Sequence, residues 1–63
     1  SLLTEPERSE AIAELDAVVS LLYELSWDQV EHIFATFHRG WDYGARLARV
    51  KVHYDRWAAE VGQ

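Results

Sequence analysis

The chain has 63 residues, enough for one small domain but too few for a domain with a deep catalytic cleft of its own. Hydrophobic residues make up 49% and charged residues 27%, which excludes an intrinsically disordered chain, and the absence of cysteine excludes disulfides and thiolate metal sites. The net charge of −5 argues against independent, tight binding of nucleic acid.

A first helix is predicted near residues 5–24. Thr4 is the N-cap candidate, Glu7 can complete a capping box with it, and Pro6 falls in the first turn, where a missing N–H costs little. The apolar side chains of this segment fall within roughly 160° of one another on a helical wheel, so we expect them to face the core. They are Ala11, Ile12, Leu15, Val18, Val19, Leu22, Tyr23 and Leu25, with Glu10, Glu14 and Glu24 opposite.

A second helix is predicted near residues 27–38. Ser26 and Gln29 have the spacing of a capping box, and Leu25 with Val30 has that of a hydrophobic staple. Its apolar face consists of Val30, Ile33, Phe34 and Phe37. Gly40 offers a left-handed end to this helix, and His38 is placed to bond its last carbonyls.

A third helix is predicted near residues 43–61, with Asp42 as its cap and Gly62 after its end. Six residues at alternating spacings of 4 and 3 form a seam for packing on other helices. They are Tyr43, Leu47, Val50, Tyr54, Trp57 and Val61. Short connections between the three segments predict an all-α, compact three-helix arrangement forming a single small domain over residues 1–63.

The third helix carries a basic flank made of Arg46, Arg49, His53 and Arg56. We favour ion pairing of these arginines with Glu10, Glu14 or neighbouring domains. The alternative is contact with DNA phosphates, to which Arg39 and Lys51 would add. Because the first 37 residues carry eight acidic side chains and one basic one, such DNA binding is expected to be weak and nonspecific.

A second stripe of helix three lies almost opposite its seam and is built from small or β-branched residues. These are Ala45, Ala48, Val52 and Ala59, with Leu21 of helix one as an additional member. Small side chains let another helix approach closely, so we predict a partner surface here, used either by the rest of a larger protein or in a homodimer.

The sequence offers no catalytic, cofactor or metal site. The histidines lack His-x-x-x-His spacing, and the serines lack a Gly-x-Ser-x-Gly elbow. The eight aromatic residues are interpreted mainly as core, with Trp27 and Trp41 as an alternative docking pair. No apolar run is long enough to span a membrane and nothing in the sequence looks like a signal peptide, so we expect a cytoplasmic protein without a membrane partner.

The segment from Leu15 to Phe37, LDAVVSLLYELSWDQVEHIFATF, resembles the Leu-Asp-x-x-Val … Tyr-Gly-Leu-(Ser/Thr)-x-(Asp/Glu)-x-hydrophobic pattern near the C-terminus of type II restriction-modification DNA adenine methyltransferases. The segment from Phe37 to Ala58 is similar to the end of related methylases from restriction and phage-defence systems. One departure is Glu24, which replaces the usual glycine of the pattern and predicts a less sharp first corner.

The resemblance implies a noncatalytic C-terminal helical domain that packs on the remainder of an S-adenosylmethionine-dependent parent and assists in positioning DNA. The parent's cofactor loop and Asn-Pro-Pro-Tyr-like motif do not occur in this sequence, so no catalytic or cofactor residue carries over. The start at Ser1 without methionine is expected either after removal of the initiator or, as we favour for so short a chain, for a fragment of a larger protein. The alternative is an independent helical protein-interaction or homodimerisation module. A DNA-binding helix-turn-helix is disfavoured, because helix two carries Asp28 and Glu31 but neither lysine nor arginine.

Overall fold

The computed structural model describes residues 2–40 and 42–62, which form three α-helices and no strand. Helix α1 spans Glu5–Leu22, α2 spans Trp27–Phe37 and α3 spans Gly44–Glu60. The all-α prediction is confirmed, and the predicted ends differ from the observed ones by at most two residues.

Both predicted capping boxes are present. The Thr4 hydroxyl accepts the Glu7 amide at 3.3 Å, while the Glu7 carboxylate accepts the Thr4 amide at 3.2 Å. Ser26 and Gln29 make the same reciprocal pair at 3.3 and 2.8 Å. These bonds satisfy amides that the first turn of a helix leaves without partners, so they fix where α1 and α2 begin.

Helix α3 begins differently from the prediction. Tyr43, not Asp42, is its N-cap residue and makes no side-chain capping bond. Asp42 instead accepts the Gly44 amide at 3.3 Å, so it still provides one acceptor for the start of α3.

The corner after α1 is sharp although it has no glycine. The Leu25 amide donates to the Ser20 carbonyl and the Glu24 amide to the Leu21 carbonyl, each at 2.9 Å, which is the bonding pattern of a Schellman motif. That motif requires a left-handed residue, and Glu24 adopts it with φ +58°. The expectation of a less sharp corner is therefore wrong: the backbone keeps the turn, and Glu24 carries the conformational cost.

Replacing Glu24 with glycine is expected to stabilise the protein by about 0.5–1 kcal/mol, because glycine reaches this φ without a Cβ clash although it also loosens the unfolded chain. Urea denaturation measures the change. Glu24→Ala is the matched control, since it removes the carboxylate but retains the Cβ. Equal stabilisation by alanine would show that charge, and not backbone strain, sets the cost at this corner.

The core lies between α1 and α3. Ala13 and Ala17 of α1 are 1% and 0% exposed, and they face Val50 of α3, which is also fully buried. Alanines at this contact allow the two helix backbones to approach closely, as the small residues of a tight helix crossing do. Helices α1 and α3 therefore form the main packing unit of the fold.

The predicted core stripe of α1 is wrong except at Leu25, which packs against the core. Ile12, Leu15, Val19, Leu22 and Tyr23 are exposed, whereas the buried face is the alanine side of the helix. Helical-wheel reasoning selects the largest apolar stripe, but here α3 packs on the opposite side, where its arginines also reach the carboxylates of α1. Leu21, on that same side, packs against the core.

Helix α2 docks through a few aromatic contacts. Trp27 meets Tyr54 of α3 edge to face, with ring centroids 5.3 Å apart, and the Tyr54 hydroxyl donates to the Leu25 carbonyl at 2.6 Å. Val30 and Phe34 are buried, as the second-helix face predicts, but Ile33 and Phe37 remain exposed. Contact between α1 and α2 is slight, so the two helices diverge and leave a groove between them.

Candidate interaction surface

Seven apolar side chains on α1, the following corner and α2 are exposed, and they are together called the apolar face below. Their exposed fractions range from 38% to 77%. The residues of the apolar face are Ile12, Leu15, Val19, Leu22, Tyr23, Ile33 and Phe37. Contiguous apolar patches of more than a few hundred Å² are uncommon on monomeric proteins and typically mark interaction sites.

The groove between α1 and α2 lies within this face. Its volume is about 470 Å³, and both helices contribute its walls. The lining includes Leu15 and Val19 from α1 and Ile33, Phe34 and Phe37 from α2. An apolar groove between two diverging helices is suited to receive side chains of a further helix.

The opposite side of α1 is held to α3 by three ion pairs. Arg46 reaches Asp16 at 2.6 Å, Arg56 reaches Glu14 at 2.5 Å, and Arg49 binds Glu10 with two nitrogens. Along α1 the three carboxylates are separated by four and two residues, and along α3 the three arginines are separated by three and seven residues. Pairing of the basic flank with Glu10 and Glu14, the favoured interpretation of the sequence, is what the structure contains.

His53 is the only buried polar residue in residues 2–40 and 42–62, and it belongs to this network. Its Nε2 lies 3.0 Å from the Glu10 carboxylate, and its Nδ1 lies 3.4 Å from a nitrogen of Arg56. Nε2 is thus placed to donate to the carboxylate, and Nδ1 faces the guanidinium. Glu10 thus binds both Arg49 and His53, and hydrogen bonding by Arg49, aided by His53, lowers the pKa of Glu10 to about 2.

Acid is expected to weaken the α1–α3 contact in a defined range. Because the folded-state pKa of Glu10 lies below its ordinary value of 4.5, its ionised form stabilises the fold above that value and loses this effect as the pH falls towards 2. The pKa of Glu14 is also lowered, chiefly by the hydrogen bond from the Trp57 indole, and adds to the same trend. Urea denaturation at a series of pH values measures the decline.

The matched variants are Glu10→Gln and Glu31→Gln. The stability difference between wild type and Glu10→Gln should be constant near neutral pH and shrink below pH 4.5 as Glu10 protonates. Glu31 makes no ion pair within the described ranges, so its variant should follow the wild-type profile. A difference that does not change between pH 5 and 2 would contradict the assignment to Glu10.

The remaining two basic residues named as phosphate contacts are placed apart from the paired arginines. Lys51 binds Asp55 one turn along at 2.6 Å and lies over the Trp27 ring at 5.2 Å. Arg39 follows α2 and makes no ion pair in the part of the chain that the structure describes. The five cations therefore do not form one unpaired track, and their contact with DNA stays a prediction.

The predicted partner surface on α3 is only partly assembled. Ala45, Ala48, Val52 and Ala59 are exposed on α3, as predicted. Leu21 does not join them, because it is half-buried and packs against the core between α1 and α3. The α3 face therefore consists of three alanines and Val52, and it has fewer large apolar side chains than the face formed by α1 and α2.

The aromatic predictions have three outcomes. Trp27 is not available for docking, since it packs on Tyr54 and under Lys51. Trp41 lies outside the described residues. His38 lies at the end of α2 as predicted. Its Nδ1 is 3.2 Å from the Phe34 carbonyl oxygen, and its ring stacks on the Phe34 ring with centroids 4.8 Å apart.

The two sides of α1 differ in chemistry. Among residues 2–40 and 42–62, no three histidine or acidic side chains are grouped as metal ligands would be. The charged side chains of the network bind one another across the α1–α3 contact, whereas the apolar face presents hydrocarbon and aromatic groups to its surroundings. None of the described helices is both long and apolar enough to cross a membrane.

Comparison with known proteins yields no match to a protein-family model, a curated protein or a solved structure.

Proposed function

We propose that this chain is a noncatalytic domain of a restriction-modification DNA adenine methyltransferase, and that its role is protein–protein association. The observation that carries the proposal is the apolar face. A small domain that exposes side chains such as Leu22 and Phe37 while burying alanines gains stability when another protein surface covers that face.

The noncatalytic part of the proposal is supported by the sequence. It has no Asn-Pro-Pro-Tyr-like motif for an adenine amino group and no glycine-rich loop for S-adenosylmethionine. The three glycines are separated in sequence, and Gly40 and Gly62 lie at helix ends, where their positive φ angles serve the turns. Catalysis and cofactor binding are thus assigned to the remainder of the parent enzyme.

The methylase assignment is supported by the resemblance of residues 15–58. A glutamate in the corner where the pattern has glycine still adopts a left-handed φ, so the departure at Glu24 leaves the turn geometry intact. The parent's contact with DNA is assigned to its other domains, because Arg46, Arg49 and Arg56 here bind carboxylates of α1. Any contribution of this domain to positioning DNA is therefore weak.

Site-specific photocrosslinking in the intact gene product tests the proposal. A benzoylphenylalanine placed at Leu15, which is 60% exposed, should crosslink to methylase polypeptide on irradiation in cells, as identified by peptide mass spectrometry. The same group at Ala35, on the side of α2 away from the groove, should crosslink far less.

The outcomes separate the two parts of the proposal. Crosslinks from Leu15 to peptides of a methyltransferase support both parts. Crosslinks mainly to an unrelated protein would overturn the methylase assignment. Equal, low yields at Leu15 and Ala35 would overturn the association role, because the apolar face would then be uncovered in the cell.

A further inference from the structure

The exposed side of α1 repeats at heptad spacing. Ile12, Leu15, Val19 and Leu22 follow one another at intervals of three, four and three residues. In heptad terms β-branched residues occupy both a positions and leucine both d positions. That combination favours two-stranded packing, and here it is turned away from the domain's own core.

The size of the apolar face fits a dimer. A large apolar side chain has roughly 150–200 Å² of surface, so the exposed parts of the seven residues of the apolar face amount to about 600–800 Å². A standard protein interface covers about 800 Å² on each partner, whereas the largest apolar patch on a typical monomer is about 300–600 Å².

The charge distribution permits contact between identical surfaces. The chain carries −5 overall, but Glu10, Glu14 and Asp16 are bound by arginines across the α1–α3 contact. At the N-terminal end of the exposed side, Arg8 lies 3.6 Å from Glu5. The row Ile12, Leu15, Val19 and Leu22 is uncharged, and Asp16, which lines the adjoining groove, is bound by Arg46. A second copy therefore meets no unpaired like charge along this row, and an oppositely charged partner finds no complement there.

We propose that the apolar face binds a second copy of this chain, with the α1 helices packed on each other across a two-fold axis and the Phe37-bearing end of each α2 at the margin. This proposal rests on the proposed association role and specifies its partner. A two-fold arrangement uses the same surface on both copies. The uncharged row of Ile12, Leu15, Val19 and Leu22 can pack against its own copy in this way. This arrangement also covers the groove between α1 and α2 with apolar side chains.

Sedimentation equilibrium of the 63-residue chain tests whether a second copy is the partner. Wild type is expected to be dimeric at roughly 100 µM, since interfaces of standard size reach at least micromolar affinity. Leu15→Glu should raise the dissociation constant at least about 30-fold, because each dimer then buries two unpaired carboxylates. Leu22→Glu repeats the test one turn along, and circular dichroism establishes that each variant is folded.

Val52→Glu is the matched control, because it places the same charge on the exposed face of α3. A dimer that persists in Val52→Glu and dissociates in Leu15→Glu supports the proposal. Dissociation of the Val52 variant alone would show that the interface lies on α3. A monomeric wild type would show that the chain does not bind a second copy. Either result overturns the proposal. The association role is judged separately, because crosslinks from Leu15 to the parent's other domains would uphold it even if the chain is monomeric.

Discussion

Ala17→Glu is expected to unfold the protein, whereas Leu15→Glu leaves the monomer folded. Ala17 is fully buried against α3, so a glutamate there either places an uncompensated charge in the core or separates the two helices. The expected cost is about 3 kcal/mol or more. That is comparable to the whole stability of a chain of this length, which is about 3–9 kcal/mol.

Leu15→Glu is the informative control, because ordinary helical-wheel reasoning predicts that it destabilises the monomer more than Ala17→Glu does. Its side chain is exposed, so the change in monomer stability should stay within about 0.5 kcal/mol. Urea denaturation followed by circular dichroism, at a concentration where the chain is monomeric, compares the two variants. If Leu15→Glu were the more damaging substitution, α1 would present its leucine stripe to the core and the observed packing would be incorrect.

Phe34→Ala is expected to release α2 from the rest of the domain. Phe34 is 6% exposed, stacks on His38, and lies 5.9 Å from the Tyr43 ring. Removing a buried phenylalanine costs about 3–5 kcal/mol. Because α2 makes few other contacts with α3, amide hydrogen exchange should show protection lost first in Trp27–Phe37.

Phe37→Ala is the matched control, with the same substitution three residues later at a side chain that is 77% exposed. The monomer's stability should change by no more than about 0.5 kcal/mol, while self-association weakens. Phe34→Leu provides a milder variant if the alanine variant does not fold. Protection lost equally in all three helices of Phe34→Leu would show that α2 unfolds only together with the domain.

Local signals in the sequence were sufficient to place the helices. Ser26 with Gln29 and Thr4 with Glu7 define starts that depend only on residues three positions apart, and Gly40 supplies the left-handed φ after α2. The same locality explains the prediction that His38 would bond the end of its own helix. Such features hardly depend on what packs against the helix.

The face of α1 that is buried could not be predicted in the same way. Hydrophobic periodicity favours Leu15 and Leu22, but it does not identify which neighbour covers them. The pairing of arginines with Glu10 and Glu14 was an available signal, because it places the acidic side of α1 against α3. Combined with the small size of Ala13 and Ala17, that signal leads to the observed packing and leaves the leucine stripe on the apolar face.

The dominance of α1–α3 packing has a consequence for folding kinetics. Residues that meet across this contact are far apart in the chain: 30 positions separate Asp16 from Arg46, and 43 separate Glu10 from His53. The chain must therefore close a long loop before its main core exists. The conformational entropy of that loop is lost before the stabilising contacts form. Helix α2 lies inside that loop, and its capped, locally encoded turns shorten the flexible segment. If α2 forms before this closure, α1 and α3 meet sooner, and α2 then adds Val30 and Phe34 to the core.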